Sequence, residues 1–189
     1  MIPAIVLAAG ESTRMGQPKA LLADGAGRQF VTRILHTLRA AGVDRIAVVT
    51  GSVHAAIVAA VARDAPRGAA VTFARNPDPS RGQLSSLIAG LDAVDVPGVG
   101  AAIVTLVDVP FVEASTVRRV IEAWRQSGAP IVRPARGPRH GHPVLFARAM
   151  FGALRAADPG AGAKSVLRAH ASGVLDVPTD DEWSLVDVD

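Results

Sequence analysis

Five short, near-continuous apolar runs, separated by segments of helical periodicity, constrain this chain more than any other feature. They occupy residues 2–7, 45–50, 70–74, 101–107 and 129–133, and A-A-I-V-T-L-V at 101–107 is the most apolar. Runs of this kind read as strands buried on both faces, as in a parallel sheet. Residues 30–41 place Phe30, Val31, Ile34, Leu35 and Leu38 at helical spacing before Gly42. Residues 53–63 put Ile57, Val58 and Val61 on one face, 85–93 carry Leu87, Ile88 and Leu91, and 116–126 supply a fourth helix. Strands alternating with helices of ~10–15 residues predict right-handed βαβ units and an α/β domain of three layers with a mostly parallel central sheet.

The remainder is less regular. Residues 134–142 (P-A-R-G-P-R-H-G-H) read as an exposed loop, and 143–146 as a returning strand. Residues 151–157 and 165–171 look helical, and 184–188 (S-L-V-D-V) read as a last strand. With 189 residues, no internal repeat and no dividing linker, residues 1–189 are expected to form a single domain. Cysteine is absent, which excludes disulfides, thiolate catalysis and Cys-based zinc sites. No apolar run reaches the ~20 residues that span a bilayer. The first apolar stretch lacks a basic flank and a cleavage region, so a cytoplasmic protein without a membrane partner is expected. A net charge of +3 suits anionic ligands, but the arginines are scattered and tyrosine is missing, which reads against nucleic acid as a partner.

In a sheet of this kind, ligands sit beside the carboxyl ends of the strands. That rule selects the loops at 8–19 and 108–111. The first belongs to L-A-A-G-E-S-T-R-M-G-Q-P-K at residues 7–19. The small residues Ala8, Ala9 and Gly10 let a polyphosphate approach peptide N–H groups closely. Arg14 can clamp phosphate oxygens bidentately, and Lys19 adds a compact positive charge. These residues suit displacement at phosphorus, where positioning and charge neutralisation do most of the catalytic work. Two rival glycine motifs fail. G-x-G-x-x-G is absent after the first strand, and the one near match to G-x-x-x-x-G-K-[ST] has Asp158 and Ala163 where its glycines belong.

The second loop carries Asp108 at the end of the most buried strand. A hard carboxylate there can hold Mg²⁺ against phosphates, and it can equally be a turn or helix-cap aspartate before Pro110. Ser85 and Ser86 read either as contacts to ribose or base or as ordinary residues of a helix start. His140 and His142 form an H-x-H pair, but with no cysteine and no carboxylate nearby in the sequence they read poorly as transition-metal ligands.

The pattern L-A-A-G-x-S-x-R-M-G-x-x-K resembles the signature of the MobA-like nucleotidyltransferases, and within them most resembles the molybdenum cofactor cytidylyltransferases. Further segments follow in the family's order: Asn76-Pro77 and G-Q-L-S-S-L-I-A-G-L at 82–91, L-V-D-V-P at 106–110, G-H-P-V-L-F at 141–146 and G-A-K-S-V-L-R at 162–168. The resemblance implies a Rossmann-like fold of the nucleotide-diphospho-sugar transferase type. It implies nucleotide contacts from Leu7, Ala8, Ala9, Gly10, Arg14, Lys19, Asn76, Gly82, Ser85 and Ser86. It implies Mg²⁺ on Asp108 and on a second acid near the C-terminus, for which Asp187 and Asp189 are the candidates, although the family's T-P-E-D continuation is absent. Gly141, His142 and Pro143 would face the acceptor.

The reaction so implied is attack by an acceptor phosphate oxygen on the α-phosphorus of a nucleoside triphosphate, with pyrophosphate leaving and Arg14, Lys19 and Asp108 as the catalytic residues. Ala9 stands where guanylyl-transferring relatives usually carry a second glycine, so the resemblance favours CTP, with molybdopterin as acceptor and transient contact with a molybdoenzyme. The alternatives are a guanylyltransferase, a sugar- or polyol-phosphate nucleotidyltransferase, and a non-catalytic nucleotide- or cofactor-binding protein.

Overall fold

A computed structural model of the chain describes residues 1–10, 17–158 and 162–188. In chain order the elements are β1 (Ala4–Ala8), α1 (Phe30–Ala40), β2 (Arg45–Thr50), α2 (His54–Arg63), β3 (Ala70–Arg75), α3 (Gln83–Val94), β4 (Ala101–Leu106) and α4 (Ala114–Ser127). There follow β5 (Ile131–Arg136), β6 (Arg139–His140), β7 (Val144–Ala147), α5 (Phe151–Ala156), α6 (Gly162–Ala169) and β8 (Val174–Pro178). The strands form one sheet in the order β3-β2-β1-β4-β7-β5-β6, and β8 pairs with the other edge of β5. β1 is parallel to both β2 and β4, β2 to β3, and β5 to β8. β7 is antiparallel to both its neighbours, β4 and β5. The fold is thus Rossmann-like, a mostly parallel mixed sheet with flanking helices.

Side-chain alternation along β1 divides the core into its two layers. Ala4, Val6 and Ala8 face the layer of α1, α2 and α4, where Ile34, Leu35, Ile57, Val117 and Val120 are buried. Ile5, Leu7 and Ala9 face the opposite layer, where Leu84, Leu87 and Leu91 of α3 meet Phe151 and Leu154 of α5. Each fully buried side chain of this size stabilises the fold by about 1.5–3 kcal/mol relative to exposure. With both faces covered, β1 and β4 at the centre need continuous apolar sequence, and their carboxyl ends open together on one rim. No helix among the described residues is long and apolar enough to cross a membrane.

Two expectations change in the second half. Residues 134–142 are not all loop: β5 continues to Arg136 and pairs with β6. Pro134 is tolerated because it lies where β5 passes from its pairing with β7 to its pairing with β6, and its carbonyl accepts the Gly141 N–H at 3.0 Å. The segment 184–188 is not a strand. Glu182–Leu185 form a 3-10 turn and the residues after it run extended without a sheet partner. The open edge of β5 is filled instead by β8.

Candidate functional site

The adjacent parallel strands β1 and β4 end side by side, and the Val107 N–H donates to the Leu7 carbonyl at 3.1 Å. The loop after β1 returns as a 3-10 turn, Lys19–Leu21, and the loop after β4 carries Asp108 as its second residue. The two meet: Lys19 Nζ lies 3.8 Å from Asp108 Oδ2, and both side chains are only partly exposed. Gly10, just after β1, is exposed, and among the described residues a Cβ built there would meet no atom within 4 Å. Arg14 and Asp189 lie outside the described residues.

A brace holds these loops in place. Arg33 of α1 donates through Nε to the Pro110 carbonyl at 3.1 Å and through Nη1 to Asp24 Oδ2 at 2.7 Å. Its guanidinium also lies 4.8 Å from the Phe111 ring centroid. Asp24 in turn accepts the Ala26 and Arg28 N–H groups, and these bonds, Arg28 first, hold its carboxyl below the usual range. One arginine therefore ties the return from the β1 loop to the β4 loop. Its position, 23 residues beyond Gly10 and 77 before Pro110, gave no sequence signal.

Asn76, just after β3, is buried, and its amide is used within the protein. Its Nδ2 donates to Ser85 Oγ at 2.8 Å and Ser86 Oγ at 2.9 Å, while its Oδ1 accepts the Asp78 N–H. Ser85 also donates to the Gly82 carbonyl at 2.7 Å. The Asn76-Ser85-Ser86 network thus fixes the start of α3. Gly82 at that start has φ +90, a backbone conformation that residues with a Cβ rarely adopt, so glycine is required there.

The tail completes the rim. Asp181 is buried; its Oδ2 accepts the Glu113 N–H at 2.9 Å and the Thr116 hydroxyl at 2.8 Å, and its Oδ1 accepts the Trp183 N–H. The Ser184 carbonyl accepts the His142 N–H at 2.8 Å, and a Cβ at Gly141 would collide with that carbonyl. The Val188 N–H then donates to the Asp108 carbonyl at 2.7 Å, so Asp187 runs alongside the β4 loop. Burial pushes the His142 imidazole below its ordinary value, although the Val104 backbone and the Asp187 charge both favour the protonated form. Trp183, half exposed, packs against Phe111 with ring centroids 5.0 Å apart and the rings tilted by 55°.

Among the described residues no three His, Cys, Asp or Glu side chains cluster as a ready-made metal site. Magnesium asks for less, because it binds through one or two carboxylates together with substrate phosphates. Asp108 and Asp187, hard oxygen donors on one rim beside Lys19, fit that demand.

Beyond this rim lies a cavity of about 640 Å³. Its floor is apolar, from Leu7, Val104, Leu106, Val144 and Phe146 on the sheet to Leu84, Leu87 and Leu167 on the helices. Gly82 borders it on the α3 side and Gly141 and His142 on the other, so nucleotide and acceptor candidates share one hollow. The sequence offered no carboxylate near the H-x-H pair, but the fold supplies one: Asp176 of β8 lies 3.4 Å from His140 Nε2 and 2.7 Å from Arg133 Nε.

Comparison with known proteins finds relatives of the whole chain. A probable molybdenum cofactor guanylyltransferase of Natronomonas pharaonis is 31% identical over 158 residues, 82% of this chain and 74% of the relative. One of the same description from Rhodopirellula baltica is 31% identical over 129 residues, 68% of this chain but only 58% of that relative's length. The crystal structure of Rv0371c from Mycobacterium tuberculosis is 32% identical with a TM-score of 0.75, covering 100% of this chain and 92% of that one. The structure of Rv0371C in complex with manganese is 29% identical with a TM-score of 0.72, covering 94% and 88% of the two chains. The family model of the MobA-like NTP transferase domain matches residues 4–174, and the chain belongs to that family.

Proposed function

We propose that this protein transfers a nucleoside monophosphate from a nucleoside triphosphate to a phosphorylated acceptor, molybdopterin, in the cytoplasm, releasing pyrophosphate. The observation that carries the reading is the meeting of Lys19 and Asp108 at the ends of β1 and β4, beside a hollow large enough for an acceptor. An oxygen of the acceptor phosphate attacks the α-phosphorus, the bond to the β-phosphate oxygen breaks, and the electron pair leaves with pyrophosphate. Lys19 and Arg14 neutralise charge developing on the phosphates, and no protein nucleophile is required. Asp108 and Asp187 would hold Mg²⁺, which supplies Lewis-acid neutralisation of the phosphate oxygens. The end of β1 and the Gly82 turn border the triphosphate, with Asn76, Ser85 and Ser86 shaping that wall. Gly141, His142 and Pro143, with the apolar floor, receive the acceptor.

Two observations bear on the base and point differently. Ala9 is buried at the end of β1 where guanylyl-transferring relatives usually have glycine, which favours CTP. The two relatives at 31% identity are both described as guanylyltransferases, which favours GTP. Thermal unfolding with CTP, GTP, ATP and UTP, each with and without Mg²⁺ or Mn²⁺, separates them, because a ligand of the native state raises its stability in step with affinity. Stabilisation by one metal-nucleotide pair, followed by pyrophosphate release with molybdopterin, is the expected result. If no nucleotide stabilises the chain, the reading is wrong and a non-catalytic role takes its place.

A further inference from the structure

Arg33 stands where local preference would not put it. It is the fourth residue of α1, in a first turn that has no acidic side chain, and a cation there opposes the helix dipole. Long-range contacts offset that cost. Its Nη1 donates to Asp24 Oδ2 at 2.7 Å and its Nε to the Pro110 carbonyl at 3.1 Å, and its guanidinium lies over the Phe111 ring.

The two ends of this brace are not equivalent. The return from the β1 loop has other ties: Asp24 keeps the Ala26 and Arg28 N–H groups, and the Phe30 N–H donates to the Leu22 carbonyl at 2.8 Å. The β4 loop has fewer. Among the described residues, the Arg33 bond is the one hydrogen bond that Pro110, Phe111 and Val112 take from another element. Asp108 lies two residues before Pro110 on that segment. Phe111 also packs against Phe30, with ring centroids 5.7 Å apart, and against Trp183, four residues before Asp187. One side chain thus bears on both carboxylates of the rim, on Asp108 through the main chain of its loop and on Asp187 through the Phe111 ring.

We infer that Arg33 is a positioning residue for the metal site: by holding Pro110 and Phe111 it keeps the Asp108 and Asp187 carboxylates ready for a divalent cation. This rests on the reading in which those two acids hold the metal, and it adds a residue that touches neither metal nor substrate. The sign of its effect separates position from charge. Taking a cation away from a cation site should, by Coulomb's law alone, tighten metal binding. Loss of a positioning residue weakens it.

The test titrates Mn²⁺ into the whole chain without nucleotide and follows the free ion by electron paramagnetic resonance. The wild-type chain is expected to bind Mn²⁺, and Asp108→Asn to lose it. In Arg33→Met the dissociation constant should rise about tenfold, the lower end of what outer partners of metal ligands contribute. Arg33→Lys keeps the charge but lacks the planar fork that bridges two acceptors, so it should weaken binding by less. Thermal unfolding of each variant without metal verifies folding, and Arg33→Lys alone decides if Arg33→Met does not fold. A fall in Tm with unchanged Mn²⁺ affinity marks a purely structural brace and overturns the proposal. So do tighter binding in Arg33→Met, Mn²⁺ retained by Asp108→Asn, and no binding by the wild-type chain. The transferase reading is judged separately, by nucleotide-dependent stabilisation of the wild-type chain, which these outcomes leave untouched.

Discussion

Lys19 reaches Asp108 across 3.8 Å, a distance at which the pair adds little to folding and much to the local field. A partly exposed pair of this kind contributes on the order of 1 kcal/mol or less to stability. A preorganised charge aimed at developing phosphate charge is worth about 10²–10³ in rate. Lys19→Ala is therefore expected to lower turnover by about two orders of magnitude while the denaturant midpoint hardly moves. Unchanged turnover would remove Lys19 from the mechanism. Asn76 shows the opposite balance: with both amide hydrogens on Ser85 and Ser86, its contribution goes into the shape of the α3 start.

Among the elements, α4 depends on a distant residue. Its N-cap, Glu113, makes no side-chain cap; the Asp181 carboxylate, 68 residues away, accepts the Glu113 N–H instead. Asp181→Ala leaves that N–H and the buried Thr116 hydroxyl without their acceptor, at a cost of roughly 3 kcal/mol. In a chain of this length that lowers Tm by about 6–12 °C, and turnover should fall as well, because the tail carrying Asp187 loses its anchor. A melting shift without loss of turnover would separate the anchor from the site. Such long-range ties mark the limit of what was legible in the sequence. The strands and helices from β1 to β5 follow from local periodicity, and the loops at 8–19 and 108–111 follow from the rule for parallel sheets. The edge strand β8 (V-L-D-V-P) is half-exposed and mixes polar with apolar residues, so its pairing with β5 leaves no local trace. Arg33, Asp176 and Asp181 act across 40 residues or more, and only folding brings them to the site.

For the molecule as a whole, acid stability should bear the mark of His142. Its folded-state value is lowered by burial, so the unfolded chain binds the proton more readily. The associated stability is complete above the ordinary value of 6.5 and is lost as pH falls below it. Asp24 and Asp64, both lowered from 3.8, give up theirs only in more acid solution. Urea midpoints should therefore decline in two stages, and His142→Gln should abolish the upper one. A single acid stage in the wild-type chain would contradict this. The sheet itself has a seam. The four-residue strand β7 joins the block of β3, β2, β1 and β4 to that of β5 and β8, and it meets β5 at only two residue pairs, Ile131 with Phe146 and Val132 with Leu145. Amide hydrogens of β5 and β8 should exchange with solvent deuterium sooner than those of β1 and β4, because the smaller block can part from the larger without global unfolding. The cavity crosses this seam, so its occupant rests on both blocks and should slow exchange in β5 and β8 selectively. Uniform exchange across the sheet would show that the two blocks open as one. Capture of the acceptor is, on this account, also the event that clasps the molecule shut.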